Sequence, residues 1–195
     1  MLAAVILAAG ESRRMGSPKA LLPYRGGTFL SHLLKITRHP KIGLTRVVVG
    51  AHREEIESAA ALPPGEFVFN SDWRQGQLSS IQAALRSLPE DSTEGILLCP
   101  VDHPLISATL VSSLIEKFYS SGKLIVLPKY SGRRGHPIIF SSQLYPELQS
   151  APAEVGARAV VWAHAADVLE MPVEEEGVVL NLNDPATLDR ALNSP

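Results

Sequence analysis

Between Gly10 and Lys19 the chain reads GESRRMGSPK, a run of small residues interleaved with cations. Ala8, Ala9, Gly10, Ser12 and Gly16 offer little side-chain bulk, so backbone amides can approach an anion without a Cβ in the way. Arg13, Arg14 and Lys19 place positive charge where that anion would lie, and Pro18 stiffens the exit of the turn. A continuous apolar run, Ala3 to Leu7, precedes the turn and reads as a strand covered on both faces. A buried strand, a small-residue loop and clustered cations together point to a nucleoside triphosphate site. Two other phosphate loops are excluded: Gly10 to Gly16 has neither the GxxxxGK spacing of a Walker loop nor the three glycines of GxGxxG.

Asp102 is the second chemical landmark. It follows the apolar run Ile96 to Pro100 and is hemmed by Pro100 and Pro104. A carboxylate just past a buried strand, opposite a phosphate loop, can hold a hard cation. Mg²⁺ takes one or two carboxylates together with phosphate oxygens and water. The bland alternative, helix capping by Asp102, competes with Ser107, which already stands before the following helix. Ser79 and Ser80 fall near the start of a helix carrying Ile81, Ala84, Leu85 and Leu88. Hydroxyls and free amides there suit an anion or a ribose, and simple capping explains them equally well. His32 and His39 have no ligand partner at metal spacing and read as surface or partly packed residues. No Ser–His–Asp arrangement is legible, so the chemistry expected is direct in-line displacement at the α-phosphate, with Arg14 and Lys19 neutralising the β- and γ-phosphates.

The remainder of the chain must position these groups. Its 195 residues suit one domain, with residues 1–127 as a nucleotide-binding half and 128–195 as an acceptor-binding half. Apolar residues make up 45 %, enough for a sizeable core, and the net charge of −2 gives no general attraction to nucleic acid or acidic membranes. The single cysteine, Cys99, excludes an internal disulfide and a cysteine-based zinc site. No apolar stretch reaches the about 20 residues of a membrane span, and the N-terminus lacks the basic lead-in of a signal peptide, so a soluble cytoplasmic protein is expected.

Strands are expected at Ala3–Leu7, Thr45–Gly50, Glu66–Asn70, Ile96–Pro100 and Leu124–Leu127, with helices after Thr28, over 52–62, after Ser79 and after Ser107. This alternation predicts an α/β fold: a three-layer, Rossmann-like, mostly parallel sheet with helices on both faces. Ligands bind such sheets at the carboxyl ends of the strands, where Gly10, Asn70 and Asp102 all fall. Beyond Lys129 a short strand at Pro137–Phe140, helices over 141–150 and 154–164, and strands at Ala166–Met171 and Val178–Leu180 are expected. The acidic run Glu174–Glu176 would form the solvated tip of a hairpin between the last two. A turn and helix over NLNDPATLDRAL close the chain, with Pro185 in the first turn.

With these residues in hand, LAAGESRRMGSPK resembles the signature LAAGxSxRMGxxK of the molybdopterin nucleotidyltransferase-like NTP transferases. The likeness continues in order through NSDWRQGQLSSI, CPVDHPLI, GRRGHPIIF, GARAVVWAH and NLNDPATL, and is strongest to the molybdenum cofactor cytidylyltransferases. The resemblance implies the nucleotide-diphospho-sugar transferase type of fold and transfer of CMP from CTP to molybdopterin bearing molybdenum, with Mg²⁺ as cofactor. It implies that Leu7, Ala8, Ala9 and Gly10 line the base and ribose, that Arg14 and Lys19 meet the triphosphate, and that Asp102 holds the metal. Gly135, His136 and Pro137 would face the pterin, joined by Gln77, Ser79 and Ser80, and Arg158 would lie on the acceptor side with Gly156 and Ala157. LAAG, with Ala9, is usual in the cytidylyl branch and LAGG in the guanylyl branch, which favours CTP over GTP. The family's terminal DIDTP-like turn is here Asn181-Leu182-Asn183-Asp184-Pro185. Asn183 would therefore offer a neutral oxygen as second metal ligand, or Asp184 would take its place. The alternatives are a transferase for another phosphorylated acceptor, such as a sugar phosphate, and a catalytically silent nucleotide-binding partner of a molybdoenzyme or its chaperone.

Overall fold

The computed structural model describes residues 1–183 and 187–189. The chain begins with β1 (Leu2–Ala8), a small hairpin of β2 (Pro23–Tyr24) and β3 (Gly27–Thr28), helix α1 (Phe29–Ile36) and β4 (Ile42–Val49). It continues with α2 (Arg53–Ala59), β5 (Phe67–Phe69), α3 (Gln77–Ser87), β6 (Gly95–Pro100), α4 (Ala108–Ser121) and β7 (Ile125–Tyr130). The last described elements are β8 (Arg133–Arg134), β9 (Ile138–Ser141), α5 (Tyr145–Ser150), α6 (Arg158–Ala163) and β10 (Val168–Pro172).

The large sheet has the order β10-β7-β9-β6-β1-β4-β5, with β8 pairing β7 on the side. β1 runs parallel to β4 and β6, and β4 parallel to β5, while β9 lies antiparallel between β6 and β7. The sheet is thus mostly parallel, as its strand–helix rhythm predicts, with β9 and the short β8 as antiparallel exceptions. β1 sits inside it between β6 and β4, with every residue buried. Alternate side chains feed two cores: Leu2, Ile6 and Ala8 pack with α1 and α4, and Ala3, Val5 and Leu7 pack with α3, α5 and α6. Fully burying an aliphatic side chain such as Leu2, Val5 or Ile6 contributes about 1.5–3 kcal/mol relative to exposure, so this strand is firmly anchored.

Local signals fix the helix starts. Thr28 caps α1 in a reciprocal capping box with Ser31. The Ser107 hydroxyl accepts from the Leu110 amide at the start of α4. Helix 154–164 shortens to α6, because Val155 and Gly156 both donate to the Pro152 carbonyl in a turn that precedes it. Of the closing helix only Thr187–Asp189 is described; Asp184 and Pro185 lie outside the described residues.

The expected acidic hairpin does not form. β10 pairs parallel with β7 at the sheet edge, and Glu176–Val178 is a short 3-10 turn rather than the start of a strand. The cause is Glu175. Its carboxylate accepts from the Ser107 amide at 2.9 Å and the Ser107 hydroxyl at 2.6 Å, so it caps α4 from a distant segment instead of facing water. A carboxylate is favoured there by the free amides of a helix N-terminus. Glu175→Ala should lower the unfolding free energy by about 1–2 kcal/mol. Glu174→Ala, on an exposed neighbour, should change it by less than about 0.5 kcal/mol. Urea denaturation of both variants decides this; equal effects would return Glu175 to the solvated surface.

Candidate active site

The register of the central strands builds one rim. Ala8 lies opposite Val49 on β4, and Leu7 opposite Pro100 on β6. The chain leaves the sheet at the same level from three strands, tied by Ala51 amide to Ala9 carbonyl (3.1 Å), Val101 amide to Leu7 carbonyl (3.0 Å) and Asn70 amide to Val49 carbonyl (2.9 Å). A cavity of about 230 Å³ opens there, walled by Leu7, Ala8, Ala9 and Gly10 on one side and by Lys19 and Asp102 on another. Gly50 brings β4 against this wall: a Cβ there would stand 2.6 Å from the Ala9 carbonyl oxygen and 2.8 Å from the Trp73 side chain. Only glycine lets the Trp73 ring close over the strand end, and the Arg74 guanidinium lies 4.3 Å from the centre of that ring.

Lys19 is the polar centre of the cavity. Its Nζ lies 3.5 Å from Asp102 Oδ2 and makes a short hydrogen bond to Asn183 Oδ1. Both ion-pair partners are largely buried, with side chains 15 % and 21 % exposed, so solvent screens the pair only weakly. Lys19 is held in place by its own amide, which donates to Ser12 Oγ at 3.1 Å. Ser12 adopts φ of 53°, a left-handed conformation rare outside glycine, and its carbonyl accepts from Met15. Asp102 is tied to the terminal segment through its carbonyl, which accepts from the Leu182 amide at 2.9 Å.

Two oxygen donors, from Asp102 and Asn183, thus converge on one spot. Oxygen donors suit a hard divalent cation, which fills its other positions with phosphate and water. Among the described residues no cluster of three or more His, Cys, Asp or Glu side chains could hold a metal unaided. The two donors fit a metal whose coordination is completed by phosphate oxygens.

A second cavity, about 590 Å³, adjoins the first and shares Gly76 and Gln77 with it. These two residues open α3, so the free amides of that helix face the junction. The loop before α3 is shaped by buried Asn70, whose Nδ2 donates to Ser79 Oγ (2.9 Å) and Ser80 Oγ (3.0 Å) and whose Oδ1 accepts from Asp72. The larger cavity is bounded by Gly135 and His136 on one wall and by Arg158 and the exposed Trp162 of α6 on the other. Gly135 is confined by backbone: a Cβ would stand 2.5 Å from the Val178 carbonyl oxygen, which also accepts from the His136 amide at 2.8 Å. The His136 ring lies 4.8 Å from that of His103, and the Nδ1 of each is buried without a partner. Burial pushes the His136 imidazole down to about 3, helped by His103 and Arg158. Burial also lowers His103, against the opposing pull of Asp102. Both rings are neutral near pH 7.

Residues 4–168 match the MobA-like NTP transferase domain. The chain belongs to this family. Within it, the chain is 34 % identical, over 79 % of its length and 78 % of the other, to a protein named nicotine blue oxidoreductase from Paenarthrobacter nicotinovorans. It is 31 % identical to a probable molybdenum cofactor guanylyltransferase of Opitutus terrae, over 97 % of this chain and 94 % of that one. It is 28 % identical to the molybdenum cofactor cytidylyltransferase of Escherichia coli, over 93 % and 90 %. Among solved structures, a Mycobacterium tuberculosis H37Rv protein in complex with manganese superposes with a TM-score of 0.82 at 26 % identity, over 100 % and 99 % of the two chains. The NTP transferase family expected from the sequence is thus shown. Relatives of both guanylyl and cytidylyl name leave the base specificity open.

Among the family residues expected at the site, the structure gathers Leu7, Ala8, Ala9, Gly10, Lys19, Gln77, Ser80 and Asp102 around the first cavity, with Asn183 bonded to Lys19. Gln77, Gly135, His136 and Arg158 line the second. Three expected residues lie elsewhere. Arg14 is exposed on the turn and lines neither cavity, Pro137 is buried behind His136, and Ser79 donates to the Asp72 and Gly76 carbonyls as a cap of its own loop. Ser12, expected among the small residues of the loop, lines the first cavity too; Gly76 and Trp73 line it without having been singled out, though a lone Trp in the polar run Ser71–Gln77 was a legible signal for the latter.

The unfolded His136 imidazole titrates near 6.5, so between that value and about 3 the unfolded chain holds more protons than the folded one. Stability is therefore complete above about pH 6.5 and declines as pH falls through this window. His136→Gln should show a shallower decline than the wild type in urea titrations between about pH 6.5 and pH 4. Identical slopes would mean that His136 is not held neutral by burial.

Proposed function

We propose that the chain is a nucleotidyltransferase that moves a nucleoside monophosphate, CMP from CTP, onto the phosphate of the molybdopterin form of the molybdenum cofactor. The observation that carries this reading is the placement of Lys19 between Asp102 and Asn183 at the polar end of a cavity that opens, at Gly76 and Gln77, into a second one. A phosphate oxygen of the acceptor attacks the α-phosphorus, the α–β bridging P–O bond breaks, and pyrophosphate leaves with the negative charge. A divalent cation, Mg²⁺ in this reading, would be held by Asp102 and Asn183 and would supply charge neutralisation to the triphosphate. Lys19 moves from its two protein oxygens to the β- and γ-phosphates, with Arg14 brought to the same anion from the exposed turn. The amides at the start of α3 receive the acceptor phosphate at the junction. His136 and Gly135 face the acceptor with Arg158 opposite. The first 127 residues carry the nucleotide side and the rest the acceptor side, with Gln77 reaching across from the first and Asn183 from the second.

Cytosine is favoured by Ala9, whose methyl narrows the wall beside the base. Such steric selection is worth about 1–3 kcal/mol in an apolar pocket. A cytoplasmic location matches the nucleoside triphosphate requirement, and no described helix is long and apolar enough to cross a membrane. An oxidoreductase reading is prompted by the relative named nicotine blue oxidoreductase. Against it, the chain has no GxGxxG fingerprint, and the polar end of its first cavity suits phosphate better than a hydride donor. Transfer to a sugar phosphate, and nucleotide binding without turnover beside a molybdoenzyme, are the remaining alternatives.

Pyrophosphate release with Mg²⁺, each nucleotide and each acceptor class separates these readings: it should require the molybdopterin acceptor. Release only with a sugar phosphate would move the acceptor assignment, and no release with any acceptor would leave binding alone. Asp102→Asn should cut turnover by on the order of a hundredfold or more with the fold intact, since it removes charge at nearly constant volume. Near wild-type turnover would sink the metal assignment. CTP should outcompete GTP in the same assay, and Ala9→Gly should narrow the difference; equal or better use of GTP by the wild type overturns the cytidylyl choice.

A further inference from the structure

His52 stands at the start of α2, across the rim from the loop after β1, and neither of its ring nitrogens faces a donor. Nε2 lies 2.9 Å from the Glu11 carbonyl oxygen, and Nδ1 lies 3.2 Å from Glu55 Oε1. A carbonyl and a carboxylate can only accept, so both contacts are hydrogen bonds only when both ring nitrogens carry protons. The geometry calls for an imidazolium. Glu11 sits between Gly10 and Ser12, both of which line the first cavity, and Ser12 is the residue held at φ of 53° whose hydroxyl accepts from the Lys19 amide.

We propose that the His52 imidazolium is a positioning residue that clamps the Gly10–Ser12 loop, through the Glu11 carbonyl, in the conformation that receives the triphosphate. The proposal rests on reading the first cavity as the nucleotide site. The carboxylates facing the ring are Glu55, on its own helix, and Glu11, whose Oε2 is engaged by Arg13 at 2.7 Å. The neighbouring Arg53 turns away to Glu57 and to the face of Phe69. The Glu11 carbonyl is the largest influence raising the basicity of His52, burial opposes it, and Glu55 adds to it. The clamp is therefore at full strength below the ordinary histidine range. As pH rises through the raised value the ring keeps one proton on Nε2 for the Glu11 carbonyl but loses the Nδ1 hydrogen bond to Glu55 and the charge that strengthens both, so the clamp weakens.

The experiment combines two measurements. A ¹⁵N NMR titration of the ligand-free protein follows His52 and the Ser12 amide, and calorimetry measures Mg·CTP and Mg·GTP binding to wild type, His52→Ala and His52→Gln. We expect both His52 ring nitrogens to be protonated at the low-pH limit, and the Ser12 amide to shift with the same midpoint as the ring. Wild-type nucleotide affinity should weaken on the order of fivefold to tenfold between about pH 6.5 and pH 8.5, beyond the change seen for His52→Ala. His52→Gln, a neutral donor to the Glu11 carbonyl, should recover affinity without the pH dependence. A Ser12 amide that ignores the His52 titration, or a His52→Ala variant that keeps the wild-type pH profile, overturns the clamp. If no variant binds nucleotide while the Ser12 amide still follows His52, the clamp stands and the nucleotide reading falls. The wild-type titration decides the clamp even where a variant fails to fold.

Discussion

A single ammonium group joins three distant parts of the chain. Lys19 comes from the loop after β1, Asp102 from the end of β6 and Asn183 from the terminal segment, and all three meet at one partly buried point. A cation in such a place must be matched by oxygens, because desolvating it unpaired is costly. The match works only while the strand ends stay in register. β1 supplies that constraint: held between β4 and β6 and buried throughout, it fixes Lys19 and Asp102 on the same rim, and the Leu182 amide draws Asn183 to them. Removing Lys19 strips the Asp102 charge and the Asn183 oxygen of their shared partner, and removing Asp102 leaves the ammonium without its counter-charge.

The same arrangement suits exchange of partners. An ammonium held by one carboxylate at 3.5 Å and one amide oxygen has not committed all its donors to the protein. A polyanion entering the cavity can draw Lys19 away, and the carboxylate it leaves then faces a site ready for a hard cation. In the reading proposed above, this is a nucleotidyltransferase site that would order itself around its nucleotide. The neighbouring cavity differs in character: neutral His136, backed by His103, faces Trp162 and Arg158, and the charged groups on its lining are Arg134, Glu154 and Arg158.

Much of the fold was legible because its determinants are local. The apolar run before Gly10, the Thr28 and Ser107 caps and the strand–helix rhythm each act within a few residues. What was not legible depends on contacts far apart in sequence. Nothing near Glu175 announces that its carboxylate caps a helix starting at Ala108, so an acidic run looked like a solvated tip. Ser79 and Ser80 are indistinguishable in type, yet the Asn70 network turns one to its own loop and leaves the other on the cavity wall. Arg14 and Lys19 likewise read as equivalent cations; the left-handed Ser12 and the turn it closes with Met15 carry Arg14 outward while Lys19 is drawn in. The antiparallel β9 was equally hidden, since a short apolar run carries no sign of its direction.

The most direct measurement is a crystal structure of the wild-type protein with a non-hydrolysable cytidine triphosphate analogue and Mg²⁺. The nucleotide should lie along Leu7–Gly10 with its base beside Ala9, the metal should be bound to Asp102, and Lys19 should have left Asn183 for phosphate oxygens. A nucleotide seated elsewhere, or one bound in this cavity with Lys19 still joined to Asp102 and Asn183, would contradict a site built on exchange at that one ammonium.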